Sequence, residues 1–167
     1  MSNLARKFRG LGRKGSVAVE FALVSSLFLL PLFMGASAFV IIIGAKAQLN
    51  TTLQSLYYFA WTNPSSANDQ TQLSELVGAI NSGSIFSINF PATMANGTTN
   101  GSFSYVCVTP GATPSFTAAT GPGLCSKTQV QQTFVTYEVN TTVSLPVKIP
   151  SLSNPLTLTV KGQIETQ

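Results

Sequence analysis

Residues 21–45 read FALVSSLFLLPLFMGASAFVIIIGA and hold no Asp, Glu, Lys or Arg. As an α-helix this run is about 38 Å long, because each residue adds about 1.5 Å. The hydrocarbon layer of a membrane is about 30 Å thick, so the run is long enough to cross it. Pro31 removes one helical hydrogen bond, and we expect a kink or a locally opened turn near residues 28–34. The stretch predicts one membrane-spanning helix.

The charged residues are few and unevenly placed. Only 8% of the residues are charged, which is too few for an ordinary soluble surface. Five of the nine basic residues precede the apolar run, namely Arg6, Lys7, Arg9, Arg13 and Lys14. Lys and Arg beside a membrane span stay on the cytoplasmic side. The pattern predicts a cytoplasmic N-terminus and a C-terminal domain outside the cytoplasm, and it argues against nucleic-acid binding.

Glu20 is the one acid next to the apolar run, and three interpretations of the N-terminus are open. In the first, a signal peptide is cleaved after Ala38, which would leave five large apolar residues at the new terminus. In the second, the helix is a plain anchor, and the helix dipole favours Glu20 in its first turn. In the third, the chain is cut after Gly15, which places the new α-amine of Ser16 one helical turn from Glu20. In a helix bundle that amine can also meet the glutamate of a neighbouring subunit and fix the axial register.

Arg13-Lys14-Gly15 is followed by Ser16-Val17-Ala18-Val19-Glu20-Phe21 and then by the apolar run. This order resembles the class III signal of type IV pilin-like proteins, which prepilin peptidase cleaves after the glycine. The whole chain is most similar to the TadE-like minor pseudopilins of tight-adherence (Tad) pili. The similarity rests on the short basic leader, the Gly-Ser-Val-Ala-Val-Glu-Phe-Ala-Leu core and a β-rich tail with two cysteines.

The resemblance implies a subunit that takes part in the assembly of a Tad-type type IV pilus, by priming it or at its tip or base. It implies processing between Gly15 and Ser16, and assembly through Glu20 and Phe21. The implied partners are a prepilin peptidase, a major pilin and other minor pseudopilins that meet the N-terminal helix. The implied location is the bacterial inner membrane, with the head in the periplasm or carried into the extracellular pilus.

The helical period continues beyond the membrane run. Apolar residues recur on one helix face at Leu49, Leu53, Leu56, Tyr57 and Ala60. We expect one helix from Ser16 to Thr62, whose outer stripe, extended to Trp61, forms part of the domain's own core. A second short helix is predicted over Gln70–Ile80. The chain thus divides into a leader (1–15), an N-terminal helix (16–62, membrane-spanning over 21–45) and a head (63–167).

The rest of the head has the pattern of β-strands. Phe86–Phe90 alternates apolar and polar residues, and two Asn-Gly pairs separate it from Phe103–Thr109, so we expect these two segments to form a hairpin. Val135–Leu145 and Leu156–Ile164 alternate most clearly and are predicted as antiparallel neighbours. A long helix on one face of a small antiparallel sheet makes the predicted fold class α+β.

Cys107 and Cys125 are the only cysteines, and the predicted topology places both outside the cytoplasm, where we expect them to form a disulfide. The bond would close a loop rich in turn-forming residues, which stabilises the fold by roughly 3 kcal/mol on chain-entropy grounds.

The sequence offers little for catalysis, since it has no histidine and no Gly-rich phosphate loop. We therefore expect a protein that is not an enzyme and has no cofactor, no metal site and no small-molecule substrate. The rival hypothesis is a single-pass, membrane-anchored periplasmic binding domain with an inert anchor.

Overall fold

One helix forms the first third of the fold. The computed structural model describes residues 17–147 and 153–166, so the predicted leader lies outside the described residues. Helix α1 extends from Val17 to Thr62, 46 residues, and is long and apolar enough to cross a membrane. It contains one π-helical turn, Ser25–Leu29, and continues as a regular α-helix over Leu30–Thr62.

The π-helical turn lies directly before Pro31. In a regular α-helix the proline ring would clash with the carbonyl of Leu27, four residues earlier. The π turn widens the helix there, and the Leu30 N–H donates to the Ser25 carbonyl, five residues earlier. The irregular turn expected near residues 28–34 is therefore present, but it begins earlier, at Ser25, and ends before the proline, so that residues 30–34 are α-helical.

A short connection joins α1 to helix α2, Gln70–Asn81. The Asn63 N–H donates to the Phe59 carbonyl at 2.8 Å, and a single 3₁₀ turn, Pro64–Ser66, follows. Asp69 caps α2, since its carboxylate accepts hydrogen bonds from the N–H groups of Thr71 at 2.9 Å and Gln72 at 3.3 Å. The second helix predicted from the sequence is confirmed, with its end one residue later.

Five antiparallel strands form one sheet. They are β1 (Ile88–Asn89), β2 (Ser102–Thr109), β3 (Ser115–Ala119), β4 (Val130–Val143) and β5 (Leu156–Glu165). β4 is central: β5 pairs with it along one edge, while β1 and β2 pair with successive segments of the other edge. β3 pairs with the far edge of β2. The predicted antiparallel pairing of the last two strands is confirmed.

The expected hairpin between Phe86–Phe90 and Phe103–Thr109 is wrong. β1 pairs with Asn140 and Thr141 of β4, and β2 pairs with the preceding segment of β4. Between them the Asn100 side chain occupies the edge of β4: its Nδ2 donates to the Glu138 carbonyl at 2.7 Å, and its Oδ1 accepts from the Glu138 N–H at 2.8 Å. The two segments are therefore aligned along the same strand and do not face each other.

Strand β3 was not expected, because it lies between the turn-rich segments around Pro110 and Pro122. Its five residues pair with Tyr105–Thr109 of β2. The sequence Ser-Phe-Thr-Ala-Ala is too short and too weakly alternating to indicate a strand by itself. It forms a strand because it pairs with the edge of β2.

The core lies between α1, α2 and the inner face of β4 and β5. Its buried members are Leu49, Leu53, Leu56 and Ala60 of α1, Leu73 and Val77 of α2, and Val135, Tyr137 and Val139 of β4. The predicted stripe of α1 is therefore the core of the head, with one exception: Trp61 is 66% exposed and does not belong to it. The α+β fold class, with a long helix on an antiparallel sheet and a short second helix, is confirmed.

Gly162 allows α1 to lie close to β5. This residue pairs with Tyr137 and faces the helix. A Cβ atom there would overlap the hydroxyl oxygen of Tyr57 and would lie 3.2 Å from Leu53 Cδ2. The close packing of α1 on the sheet therefore requires glycine at this point.

We predict that Gly162→Ala lowers the free energy of unfolding by about 1–3 kcal/mol, because an added methyl group overpacks the helix–sheet contact. Combining it with Tyr57→Phe, which removes the overlapping oxygen, should restore part of that loss. Denaturant unfolding of the detergent-solubilised chain, followed by circular dichroism, measures both.

The matched control is Gly78→Ala on α2, where a Cβ meets nothing within 4 Å. It should stabilise the protein by about 0.5–1 kcal/mol through helix propensity. If Gly162→Ala unfolds at the same midpoint as the parent, the close approach of α1 and β5 is wrong.

Candidate functional site

The predicted assembly residues lie at the start of the described helix. Glu20 and Phe21 are both exposed residues of the first turns of α1. The predicted processing junction, Gly15 and Ser16, lies outside the described residues. The distance between the Ser16 amine and the Glu20 carboxylate therefore stays a prediction.

The N-terminal half of α1 presents an apolar surface on all sides. Leu27, Phe28, Leu29 and Leu30 are consecutive and exposed, and consecutive residues of a helix point about 100° apart. Further exposed apolar side chains follow at Leu32, Phe33, Met34, Phe39, Val40 and Ile43. A helix that is apolar around its circumference belongs in a membrane or in the middle of a helix bundle. This surface is the largest exposed apolar feature of the described chain.

The disulfide predicted from the sequence is present. Cys107 is a buried residue of β2, and Cys125 lies in the loop that follows β3, with 5.4 Å between the two Cα atoms. The bond fastens this loop to the sheet. Two side-chain amides support the same loop: Gln131 accepts from the Gly123 N–H at 2.7 Å, and Gln129 donates to the Thr109 hydroxyl at 3.0 Å.

Two acidic side chains of the head, Asp69 and Glu138, have a role in the fold. Asp69 caps α2, as described above, and the Glu138 carboxylate accepts a hydrogen bond from the Ala95 N–H at 3.0 Å. Over residues 17–147 and 153–166, no three His, Cys, Asp or Glu side chains lie close enough together to hold a metal ion.

A shallow groove of the head lies between α1 and α2. Its volume is about 510 Å³, and it is lined by Thr51, Gln54, Ser55, Tyr58, Phe59, Thr62, Asn63 and Leu76. None of these side chains is charged. The sequence reasoning missed it, because the helical period singled out the neighbouring Tyr57. The pairing of Tyr58 on α1 with Leu76 on α2 depends on how the two helices pack.

Tyr137 is the one titratable side chain at the centre of the core. It is completely buried, and its hydroxyl donates to the Ala67 carbonyl at 2.5 Å, which ties β4 to the connection between α1 and α2. Burial raises the pKa of Tyr137 well above its ordinary value, because the tyrosinate anion would lose its hydration. The side chain therefore stays neutral in the folded protein at alkaline pH.

Comparison with known proteins adds no relative. No protein-family model matches the chain, and no curated protein and no solved structure matches it either.

The raised pKa of Tyr137 predicts a loss of stability at alkaline pH. In the unfolded chain this tyrosine ionises near pH 10, while in the folded protein it does not. The stability that the neutral Tyr137 side chain contributes is thus fully present below about pH 10. Above that pH the free energy of unfolding falls by up to about 1.4 kcal/mol per pH unit.

Tyr137→Phe tests this expectation. The variant should be less stable than the parent by about 1–3 kcal/mol near pH 8, since the buried Ala67 carbonyl loses its donor. The difference should narrow above about pH 10, because only the parent carries this ionisable group. Urea unfolding of both chains at a series of pH values measures it, and a constant difference across the series would contradict the assignment.

Proposed function

We propose that this chain is a minor pilin-like subunit that takes part in the assembly of a Tad-type type IV pilus, by priming it or at its tip or base, and that it is not an enzyme. The observation that carries the proposal is helix α1. Its first half is exposed and apolar on all sides, whereas its second half is the core of the head. A helix of this kind can pack among other such helices while it holds a folded domain at one end.

Glu20 supplies the polar group that such packing needs. An ionised side chain in hydrocarbon costs roughly 2–4 kcal/mol unless it has a partner. Cleavage after Gly15 by a prepilin peptidase creates the α-amine of Ser16, and in an assembly this amine meets the carboxylate of Glu20 on a neighbouring helix. The pair offsets both costs and sets the axial position of each subunit, while Phe21 packs beside it.

The proposed location is the bacterial inner membrane, with the N-terminus in the cytoplasm and the head in the periplasm. The basic residues before the apolar run favour this orientation. The Cys107–Cys125 disulfide supports it, because disulfides persist in oxidising compartments. The partners in this proposal are the prepilin peptidase, a major pilin and other minor pseudopilins, which meet α1.

The first prediction of the proposal concerns the N-terminus. The protein recovered from membranes of its native host should begin at Ser16, as measured by intact mass and N-terminal sequencing. Gly15→Leu should leave the leader in place, whereas the control Gly12→Leu, also in the leader, should be processed. A chain that begins at Met1 would indicate a plain anchor, and one that begins at Phe39 would indicate a secreted protein.

The second prediction concerns Glu20. Glu20→Ala should be processed and inserted normally but should fail to co-purify with the major pilin after cross-linking, because its helix lacks the partner for the neighbouring amine. Glu75→Ala removes an exposed acid from α2 of the head and should co-purify as the parent does. Normal co-purification of Glu20→Ala would rule out the amine–carboxylate pair.

The groove beside Tyr58 favours one alternative, a membrane-anchored periplasmic binding domain. In that case α1 is an inert anchor, and a ligand binds between α1 and α2. Two variants separate the proposals: Glu20→Ala would leave ligand binding by such a domain intact, whereas Tyr58→Ala would weaken that binding and would leave the assembly of a pilus subunit unchanged.

A further inference from the structure

The head extends along α1 into the charge-free run. Ala38 and Ala45 of α1 are buried against Val143, the last residue of β4, and Leu145, two residues beyond it. Ala38 is only 2% exposed, although it lies seven residues inside the segment that has no charged side chain. Part of the sheet therefore lies beside residues that the sequence assigns to the membrane.

The depth of this contact follows from the geometry of the two elements. Gly162 places Tyr137 level with Tyr57 of α1. From Tyr137 to Leu145 a strand advances about 26 Å, and from Tyr57 back to Ala38 a helix advances about 28 Å. The two lengths agree, so Leu145 lies level with Ala38. Ala38 is about 10 Å from Ala45, toward the middle of the charge-free run.

A hydrocarbon layer of about 30 Å takes about 20 helical residues. Counted from Phe21, it ends near Val40, so the end of β4 lies at its boundary. We propose that this end of the head rests in the interfacial layer of the lipid bilayer. We call it the membrane-side rim and define it as Phe86 and residues 144–147 and 153–155. The proposal requires that α1 crosses a membrane, as the proposed function does, but it does not require a pilus.

The chemistry of the rim fits a lipid surface. No Asp, Glu, Lys or Arg occurs in residues 82–89, 139–147 or 153–160. Lys148 belongs to the connection between β4 and β5 and lies outside the described residues. Phe39, Val40 and Ile43 of α1 are exposed beside the rim and continue its apolar surface. Lys46 is exposed one residue beyond the charge-free run, where its ammonium group can meet lipid phosphates.

The backbone of the rim is prepared for a site poor in water. The β4–β5 ladder ends at Val143 and Leu156, and beyond it the Asn154 side chain bonds both backbone groups of Leu145, each at 3.2 Å. On the other side of α1, Gln48 donates to the Phe86 carbonyl at 3.3 Å. Backbone groups near hydrocarbon need internal partners, because water is scarce there. These two amide side chains supply them.

Depth-dependent fluorescence quenching tests the proposal on the full chain. Trp61, the only tryptophan, is replaced by Phe, and single tryptophans are introduced by Ser144→Trp at the rim, Phe28→Trp in the middle of the run and Val130→Trp at the opposite end of β4. Each chain is reconstituted in phosphatidylcholine–phosphatidylglycerol bilayers. The lipids carry bromine either near the glycerol end or near the methyl end of the acyl chain.

Bromine near the glycerol end should quench the fluorescence of Ser144→Trp more than bromine near the methyl end does. Phe28→Trp should show the opposite preference, and neither bromine should quench Val130→Trp. If Phe28→Trp is quenched and Ser144→Trp is not, the head stands clear of the bilayer or the rim is covered by a second copy, and the proposal is wrong. Quenching of Val130→Trp would equally overturn it, because the head would then lie on its side.

The Phe28→Trp result and a second rim probe separate a failure of this proposal from a failure of the proposed function. If Phe28→Trp is not quenched, the helix does not span the bilayer, and the proposed function fails together with the seating of the rim. Ser153→Trp, on the other side of the rim, provides an independent probe should Ser144→Trp disturb the end of β4, and circular dichroism checks that each variant is folded. Ser153→Trp should likewise be quenched by the bromine near the glycerol end, and its failure to respond in a folded chain would contradict the proposal.

Discussion

The packing of α1 on the inner face of β4 and β5 is the contact on which the rest of the structure depends. Leu49, Leu53, Leu56 and Ala60 are buried there, and they belong to the same uninterrupted helix that carries the apolar run. The head therefore has no core without the helix, since the sheet alone would expose the inner face of β4. Anchor and core are consequently parts of one continuous helix, so a displacement of its second half in a membrane or a bundle also moves the core of the head.

Side-chain amides complete the sheet where backbone pairing stops. Asn100 bonds the N–H and the carbonyl of Glu138 in the gap between β1 and β2, and Asn154 does the same for Leu145 beyond the end of the β4–β5 ladder. An unpaired buried backbone group costs about 1–3 kcal/mol, and each amide side chain provides hydrogen bonds to two such groups, one N–H and one carbonyl. Throughout the described ranges, no buried side-chain nitrogen or oxygen lacks a hydrogen-bond partner. Side-chain amides thus replace strand pairing at Glu138, in the gap between β1 and β2, and at Leu145, just beyond the end of β4.

Local periodicity predicted the elements of this chain better than their partners. The long helix, α2 and the two final strands were predictable, because each has a repeating apolar pattern over ten or more residues. The pairing of β1 with β4 was not, since it depends on Asn100, whose role cannot be read from the neighbouring sequence. Trp61 was assigned to the core because it follows the stripe of α1, but α2 and the sheet do not reach that side of the helix. For the candidate site, the sequence supplied the disulfide, whereas the groove beside Tyr58 depends on the angle between two helices.

An apolar helix that is uniform around its circumference cannot select its own neighbours. Lipid tails and leucine side chains are equally apolar, so exposed residues such as Leu27–Leu30 favour neither a particular face nor a particular depth. Depth must come from the two ends of the run. Ala38, level with the membrane-side rim, and Glu20 are separated by about 27 Å of helix, close to the thickness of the hydrocarbon layer. If the rim rests at one surface of the bilayer, the continuous helix places the Glu20 carboxylate at the other, where an incoming amine can reach it. The proposed seating of the head and the proposed pairing of Glu20 would then be two consequences of the same fixed length.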